Sequence, residues 1–176
     1  AAVQHLLGSG FKPEEIEWKF GVPYYLIRLF IAGVKLKNPV LFLSVVDTYE
    51  RLALLRSKKG KETELVKFFT REDLGLEVKA RLVTGRLTEE NLKVGPGMVE
   101  RAIGLATGTS INDVRKLLID YGEYGEVVFL LKQAKEAELT VDEVYETIRL
   151  LPKLSRIIER DLTVSSLLKV CTPVEA

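Results

Sequence analysis

The chain has 176 residues, 47% apolar and 29% charged, with a net charge of +1, the composition of a globular protein large enough to bury a core without staples. One cysteine, Cys171, and one histidine, His5, exclude an internal disulfide, a cysteine-based zinc site and most triad chemistry. The longest apolar runs, such as Val40–Leu43 and Val127–Leu131, are far shorter than a membrane span, and no signal peptide is visible, which predicts a cytoplasmic protein, nucleoid-associated in a prokaryote.

In chain order the punctuation predicts helices throughout. Pro13 opens a short helix that stops at Gly21, and Pro23 opens a second through Ile31. Asn38 and Pro39 read as an N-cap and first helical residue of a helix running to about Arg56, with Leu41, Val45, Tyr49, Leu52 and Leu55 as its buried stripe. Ser57–Lys61 reads as a basic loop. Thr63–Phe69 and Leu74–Thr84 follow as helices, with Thr70 and Asp73 as a capping pair. Gly95-Pro96-Gly97 leads into a helix through Ala106, and Ser110 with Asp113 caps the next, through Ile119. Gly122 breaks it. Tyr124 or Gly125 starts a helix through Ala137, and Thr140 caps Val141–Leu151. Pro152 stops that helix, and two short helices close the chain. The whole reads as all-α, a compact multi-helix bundle with a small N-terminal helical hairpin. The natural boundary falls at Val34–Asn38, giving a 1–37 unit and a 38–176 domain. The closing Thr172-Pro173-Val174-Glu175 carries the signature of a helix start, so the chain is expected to be a piece of something longer, truncated at its C-terminus.

Catalytic motifs are missing. The sequence holds no Walker loop, no nucleophile elbow and no paired histidines. The acidic pairs Glu14-Glu15, Glu89-Glu90 and Asp142-Glu143 sit at helix starts, where the macrodipole accounts for them. This chain alone is therefore not expected to be an enzyme, and no metal site is expected in it.

Two features point to nucleic acid. Residues 10–31 resemble a helix-turn-helix, with Ile16, Phe20, Val22, Leu26 and Ile27 as its core and Tyr24, Tyr25 and Arg28 facing outward. The face is poor in base-reading side chains, and Leu29, Phe30 and Ile31 make the second helix apolar nearly all round. The other feature is a pair of glycine-bearing helix starts, Lys93-Val94-Gly95-Pro96-Gly97 and Gly122-Glu123-Tyr124-Gly125-Glu126. Helix N-termini offer free N–H groups to phosphate, and glycine allows close approach. Arg101, Arg115, Lys116 and Lys132 lie near enough in sequence to add cationic contacts.

From about Val45 the chain resembles the N-terminal DNA-binding domain of archaeal and eukaryal ATP-dependent DNA ligases. The similarity rests on Asp47–Leu52 (DTYERL), Leu82–Leu87 (LVTGRL), Ala102–Ser110 (AIGLATGTS), Gly122–Val127 (GEYGEV), Leu139–Tyr145 (LTVDEVY) and Leu167–Ala176 (LLKVCTPVEA), in that order. The resemblance implies an all-helical domain that grips the minor groove of nicked duplex DNA through backbone contacts, in replication or repair. It places Gly95, Arg101, Gly122 and Gly125 on the DNA side. It implies as partners duplex DNA, ligase catalytic domains (adenylation and OB-fold) and replication proteins. A full ligase would use ATP and magnesium, but the adenylation motif Lys-x-Asp-Gly occurs nowhere in this sequence, so no cofactor is expected in this chain. Few amides beside many Lys, Arg and Glu fit a thermophile. Near-zero net charge keeps open a helical protein-interaction module that has lost DNA binding, and residues 1–37 keep open a helix-turn-helix regulator.

Overall fold

The computed structural model describes residues 2–176 and is helical, with one isolated antiparallel bridge among the described residues. The helices are α1 (Ala2–Gly8), α2 (Pro13–Phe20), α3 (Tyr24–Ile31), α4 (Leu43–Leu54), α5 (Lys58–Phe69), α6 (Leu76–Thr84), α7 (Pro96–Thr107), α8 (Ile111–Tyr121), α9 (Tyr124–Leu131), α10 (Val141–Leu150) and α11 (Ile157–Val170). A 3-10 turn, Leu151–Lys153, carries Pro152.

Where local chemistry is strong, the elements form as the sequence dictates. Gly21 takes the left-handed conformation that ends α2 (φ 68°). Ser110 Oγ accepts from the Asp113 N–H (3.1 Å) at the start of α8. At α10, Thr140 Oγ1 accepts from the Glu143 N–H (3.2 Å) while Glu143 Oε2 accepts from the Thr140 N–H (2.8 Å). This reciprocal box satisfies two otherwise orphaned donors. Thr140→Ala is expected to lower stability by about 1 kcal/mol, read as a shift of the thermal midpoint.

Four stretches depart from the local pattern. Asn38 does not start a helix: its Oδ1 accepts from the Val40 N–H (3.0 Å), and Leu41 forms an antiparallel bridge with Thr140. Two backbone bonds, Phe42 N–H to Leu139 O and Val141 N–H to Val40 O (2.8 Å each), hold that pairing, so α4 begins only at Leu43. Ser57–Lys61 is not a loop. Ser57 caps α5 by accepting from the Gly60 N–H (3.0 Å), and a Cβ on Gly60 would stand 2.8 Å from that same Oγ. Asp73 does not cap α6; Arg71 engages it (2.7 Å) and Gly75 occupies the N-cap. The chain closes with one 14-residue helix, α11, in place of two. Its interior-facing residues Asp161, Thr163, Ser165 and Ser166 are buried and polar, which erased the apolar stripe. α1 has no buried residue, and nothing in the sequence marks it.

Three apolar clusters join these helices. Ile103, Val114, Val127 and Val128 bind α7, α8 and α9, with Leu168 of α11 against them. Val45, Phe68, Leu74, Leu82 and Val141 bind α4, α5, α6 and α10. Tyr25, Leu29, Leu139, Val144, Leu150, Leu151, Leu154 and Cys171 bind α3, α10 and the end of α11. Burial pushes the Cys171 thiol up to about 11, so it is an inert core residue. The helices before residue 37 do not stand apart. α3 packs on both α10 and α11, and the Lys37 and Asn38 N–H groups both donate to Asp142 Oδ2 (2.9 Å each). No described helix is long and apolar enough to cross a membrane.

Candidate nucleic-acid interface

The outward-facing reading of α3 is corrected by the structure. Tyr24 and Tyr25 are 0% and 1% exposed. Pro23 supplies no cap, and the Tyr25 N–H donates instead to Ser166 Oγ of α11 (2.9 Å). The N-terminal turn that would face DNA in a helix-turn-helix is thus closed by a neighbouring helix. The Tyr25 hydroxyl donates to Glu143 (3.3 Å), and burial drives its pKa well above the ordinary tyrosine range. Arg28 is consumed as well: it donates to the Tyr24 hydroxyl (2.6 Å) and to Glu159 (2.8 Å). A helix apolar nearly all round belongs inside a protein, and α3 follows that rule at Tyr24, Tyr25, Ile27 and Leu29, while Phe30 and Ile31 at its end stay exposed. Phe20, expected in the small core, lies at the surface edge-on to Phe11 (centroids 5.6 Å apart).

The glycine-bearing helix starts are built differently. At α7, Gly95 is the N-cap and no side chain caps the helix. The Met98 and Val99 N–H groups turn back to Gly95 O (3.0 and 3.2 Å), so the Gly97 N–H is the donor this turn leaves over. Arg101 lies one turn on. Its Nε and Nη2 donate to the two carboxylate oxygens of Asp161 on α11 (2.7 and 3.2 Å), which holds the guanidinium above the ordinary arginine range. Asp161 is buried, while the Arg101 side chain stays 41% exposed. The remaining nitrogen, Nη1, lies 3.6 Å from the place a Cβ on Gly97 would take. The guanidinium therefore stands beside the free end of α7, pinned by a carboxylate sixty positions away.

Lys93 precedes this turn with φ 54°, a left-handed conformation that costs an L-residue about 1–2 kcal/mol. Its Nζ donates to Pro152 O (3.2 Å), tying the strained turn to the end of α10. Lys93, Gly95, Gly97 and Arg101 form one constellation around a helix N-terminus.

The second start carries more negative charge. α9 has no side-chain cap, and Gly125, its second residue, has open space around the place of a Cβ. Gly125 lines a cleft of about 290 Å³ shared with Glu126, Phe129 and Glu50 of α4. Glu50 and Glu126 oppose an anion there. Gly122 serves the turn itself: it ends α8 in the left-handed region (φ 84°) with its N–H on Leu118 O (2.8 Å). Arg115 donates to buried Glu100 of α7 (2.7 Å). Burial first, then the charge of Glu100, raises the pKa of Tyr124 at the head of α9. Glu100, Arg115 and Tyr124 thus lock α7, α8 and α9 together, and the N-terminal turns of α7 and α9 lie toward one end. Lys116 is exposed beside Asp113 (3.3 Å). Lys132 is not near these turns. It follows α9 at the opposite end, where its Nζ donates to the Leu168 carbonyl and to Lys169 O (3.3 Å). That grip on α11, absent from any local pattern, draws residues 132–139 out of the helix expected to reach Ala137.

The pattern of the family described as DNA ligase N terminus matches residues 41–176, most of the chain. The chain belongs to this family. DNA ligase 1 of Methanosarcina acetivorans is 34% identical over 122 residues, covering 66% of this chain and 21% of that protein. The DNA ligase of Saccharolobus shibatae is 26% identical over 157 residues, 77% of this chain and 26% of that protein. The chain thus spans about a fifth to a quarter of the length of these curated relatives. Both are archaeal proteins. The match takes in α4–α11, every glycine-bearing start, and the Arg101–Asp161 pair.

Sequence reasoning missed Asp161, Glu100 and Ser166, the residues that fix Arg101, Arg115 and α3. No spacing rule connects positions fifteen, sixty or more than a hundred apart. Among the described residues no group of three His, Cys, Asp or Glu side chains could hold a metal ion.

Proposed function

We propose that this chain holds duplex DNA by its phosphates, without reading bases, on behalf of the ligase-type nucleotidyl transfer named for its relatives. The observation that carries the reading is the α7 N-terminus, where the Gly97 N–H and the pinned Arg101 guanidinium stand together beside glycines that leave room for a phosphate. Such contacts fix the register of a protein on duplex and carry no sequence information. The α9 turn, with Gly125 and nearby Arg115, is a weaker second contact. Family membership supports the substrate; in a full ligase the catalytic steps, with ATP and magnesium, would fall to the adenylation and OB-fold domains.

A second reading, docking of a protein partner, is favoured by one observation. A largely apolar cleft of about 670 Å³ opens between α7, the start of α8 and α11, lined by Leu105, Ile111 and Ile158.

Fluorescence anisotropy with a nicked duplex of arbitrary sequence, at low and moderate salt, separates the two. Binding that weakens with salt, shows no preference among sequences and is reduced by Arg101→Glu is expected from phosphate contacts. No binding at low salt would sink the DNA reading in favour of the protein partner.

A further inference from the structure

At the end of α7 and α9 away from Gly97 and Gly125, a cleft of about 360 Å³ is lined by Ala106 and Thr107 of α7, the run Leu131–Lys135, and Lys169 of α11. Three ammonium groups, from Lys132, Lys135 and Lys169, border it, and its lining contains no carboxylate. With 26 Lys and Arg against 25 Asp and Glu, most arginines in this protein sit on a carboxylate. Lys132 and Lys135 have none within 4.0 Å among the described residues, and Lys169 reaches Glu17 only at 3.9 Å.

Capping of α11 explains part of this. Lys132 and Lys135 both donate to Lys169 O (3.3 and 3.4 Å), and the negative end of a helix attracts cations. That end carries about half a charge, whereas two ammonium groups converge on a single carbonyl. Burial, with the charge of Lys135, lowers the pKa of Lys132, while the neighbouring Glu175 offsets part of the repulsion. Each ammonium has three donors, and the carbonyls use only some of them. Positive charge focused in a cleft of an otherwise balanced protein attracts anions.

We infer that the cleft bordered by Lys132, Lys135 and Lys169 is a second anion site, and that it takes a phosphate group. The phosphate has two sources, a duplex backbone or free inorganic phosphate. α7 has 12 residues, so its two ends lie about 16 Å apart at 1.5 Å per residue. This is about five base-pair steps at 3.4 Å per step, a separation within the span of one short duplex. The site does not depend on the α7 reading, because free phosphate tests it without DNA.

The test uses the whole chain, ¹⁵N-labelled and titrated with sodium phosphate against sodium chloride of equal ionic strength. Saturable, phosphate-specific shifts are expected at the amides of 131–135 and 168–170. They should vanish in Lys135→Gln/Lys169→Gln, which leaves Lys132 to cap α11 and is expected to melt with the parent. In the duplex arm, the magnitude of the slope of log K against log salt is expected to fall by about 0.9 in the double variant, the value for one neutralised phosphate. A slope unchanged in the double variant, with phosphate-specific shifts in the parent that the variant loses, assigns the site to free phosphate, and shifts that persist in the variant overturn it. Neither a phosphate-specific shift nor a change in slope overturns the site. Loss of duplex binding at Gly97, with the phosphate shifts retained, separates this site from the α7 reading.

Discussion

Tyr25→Ala is expected to destabilise the protein by about 4 kcal/mol, the range for deleting a fully buried aromatic side chain. For a chain of this size that is a fall in thermal midpoint of about 8–16 °C. The side chain is 1% exposed and packs with Leu139, Leu151, Leu154 and Cys171, residues of the matched ligase-family region. Its hydroxyl bonds Glu143, the same residue that boxes Thr140. The substitution removes apolar contacts and a hydrogen bond at one point and leaves a cavity between α3, α10 and α11. Trp18→Ala is the control. Trp18, on α2 of the same hairpin, is 82% exposed, so its loss should change stability by no more than about 0.5 kcal/mol. Circular dichroism melts of the two variants decide the matter. If Tyr25→Ala melts with the parent, α3 is not part of the domain core, and residues 1–37 return to being a separate appendage.

That contrast shows what the sequence could and could not disclose. Caps and breakers act within four residues, so Ser110 with Asp113, Thr140 as the cap of α10, and Gly95 before Pro96 were legible and formed as written. The all-helical architecture followed from them, whereas the ligase resemblance rested on motifs such as Gly122–Val127 and Leu139–Tyr145 in order. Elements set by distant partners were not legible. Asn38 and Pro39 have the chemistry of a helix start, yet pairing of residues 40–42 with 139–141 wins because it satisfies backbone groups on both segments. Lys132–Ala137 has good helix formers, and the reach of Lys132 to α11 overrides them. Arg28 looked free because Glu159 is 131 positions away.

The candidate site divides in the same way. Lys93, Gly95, Gly97 and Arg101 lie within nine residues, and their type and spacing point to phosphate. What makes Arg101 more than a mobile surface cation is Asp161, and only the packing of α11 on α7 reveals it. The Arg101–Asp161 pair is half-exposed on one side and buried on the other. Its main effect is to spare the guanidinium the loss of side-chain freedom on binding, which costs about 0.5–1.5 kcal/mol for a flexible side chain.

A carboxylate placed in the α7 turn should separate stability from binding. Gly97 and Gly125 are both the second residue of their helices, and neither has a positive φ. Glutamate there gains about 0.5 kcal/mol of helix propensity over glycine, less than the roughly 0.8–1 kcal/mol by which alanine exceeds it, and about 0.3–1 kcal/mol from the helix dipole. A Cβ on Gly97 meets Arg101 Nη1 at 3.6 Å, an ordinary contact, and one on Gly125 meets open space. Gly97→Glu should therefore melt a few degrees higher than the parent. Gly125→Glu should gain less, because Glu50 and Glu126 already face that turn. In duplex binding the order is one of loss. Glutamate at 97 fills the place of the phosphate and engages Arg101, removing charge-assisted hydrogen bonds worth about 1.5–3 kcal/mol, a fall in affinity of about 10- to 150-fold. Gly125→Glu should cost less, as the acidic cleft makes that turn the poorer contact. A stabilised Gly97→Glu protein that binds nicked duplex as well as the parent would show that DNA is held elsewhere. Stabilisation together with lost affinity would identify the α7 turn as the phosphate grip, since the damage could not be blamed on unfolding.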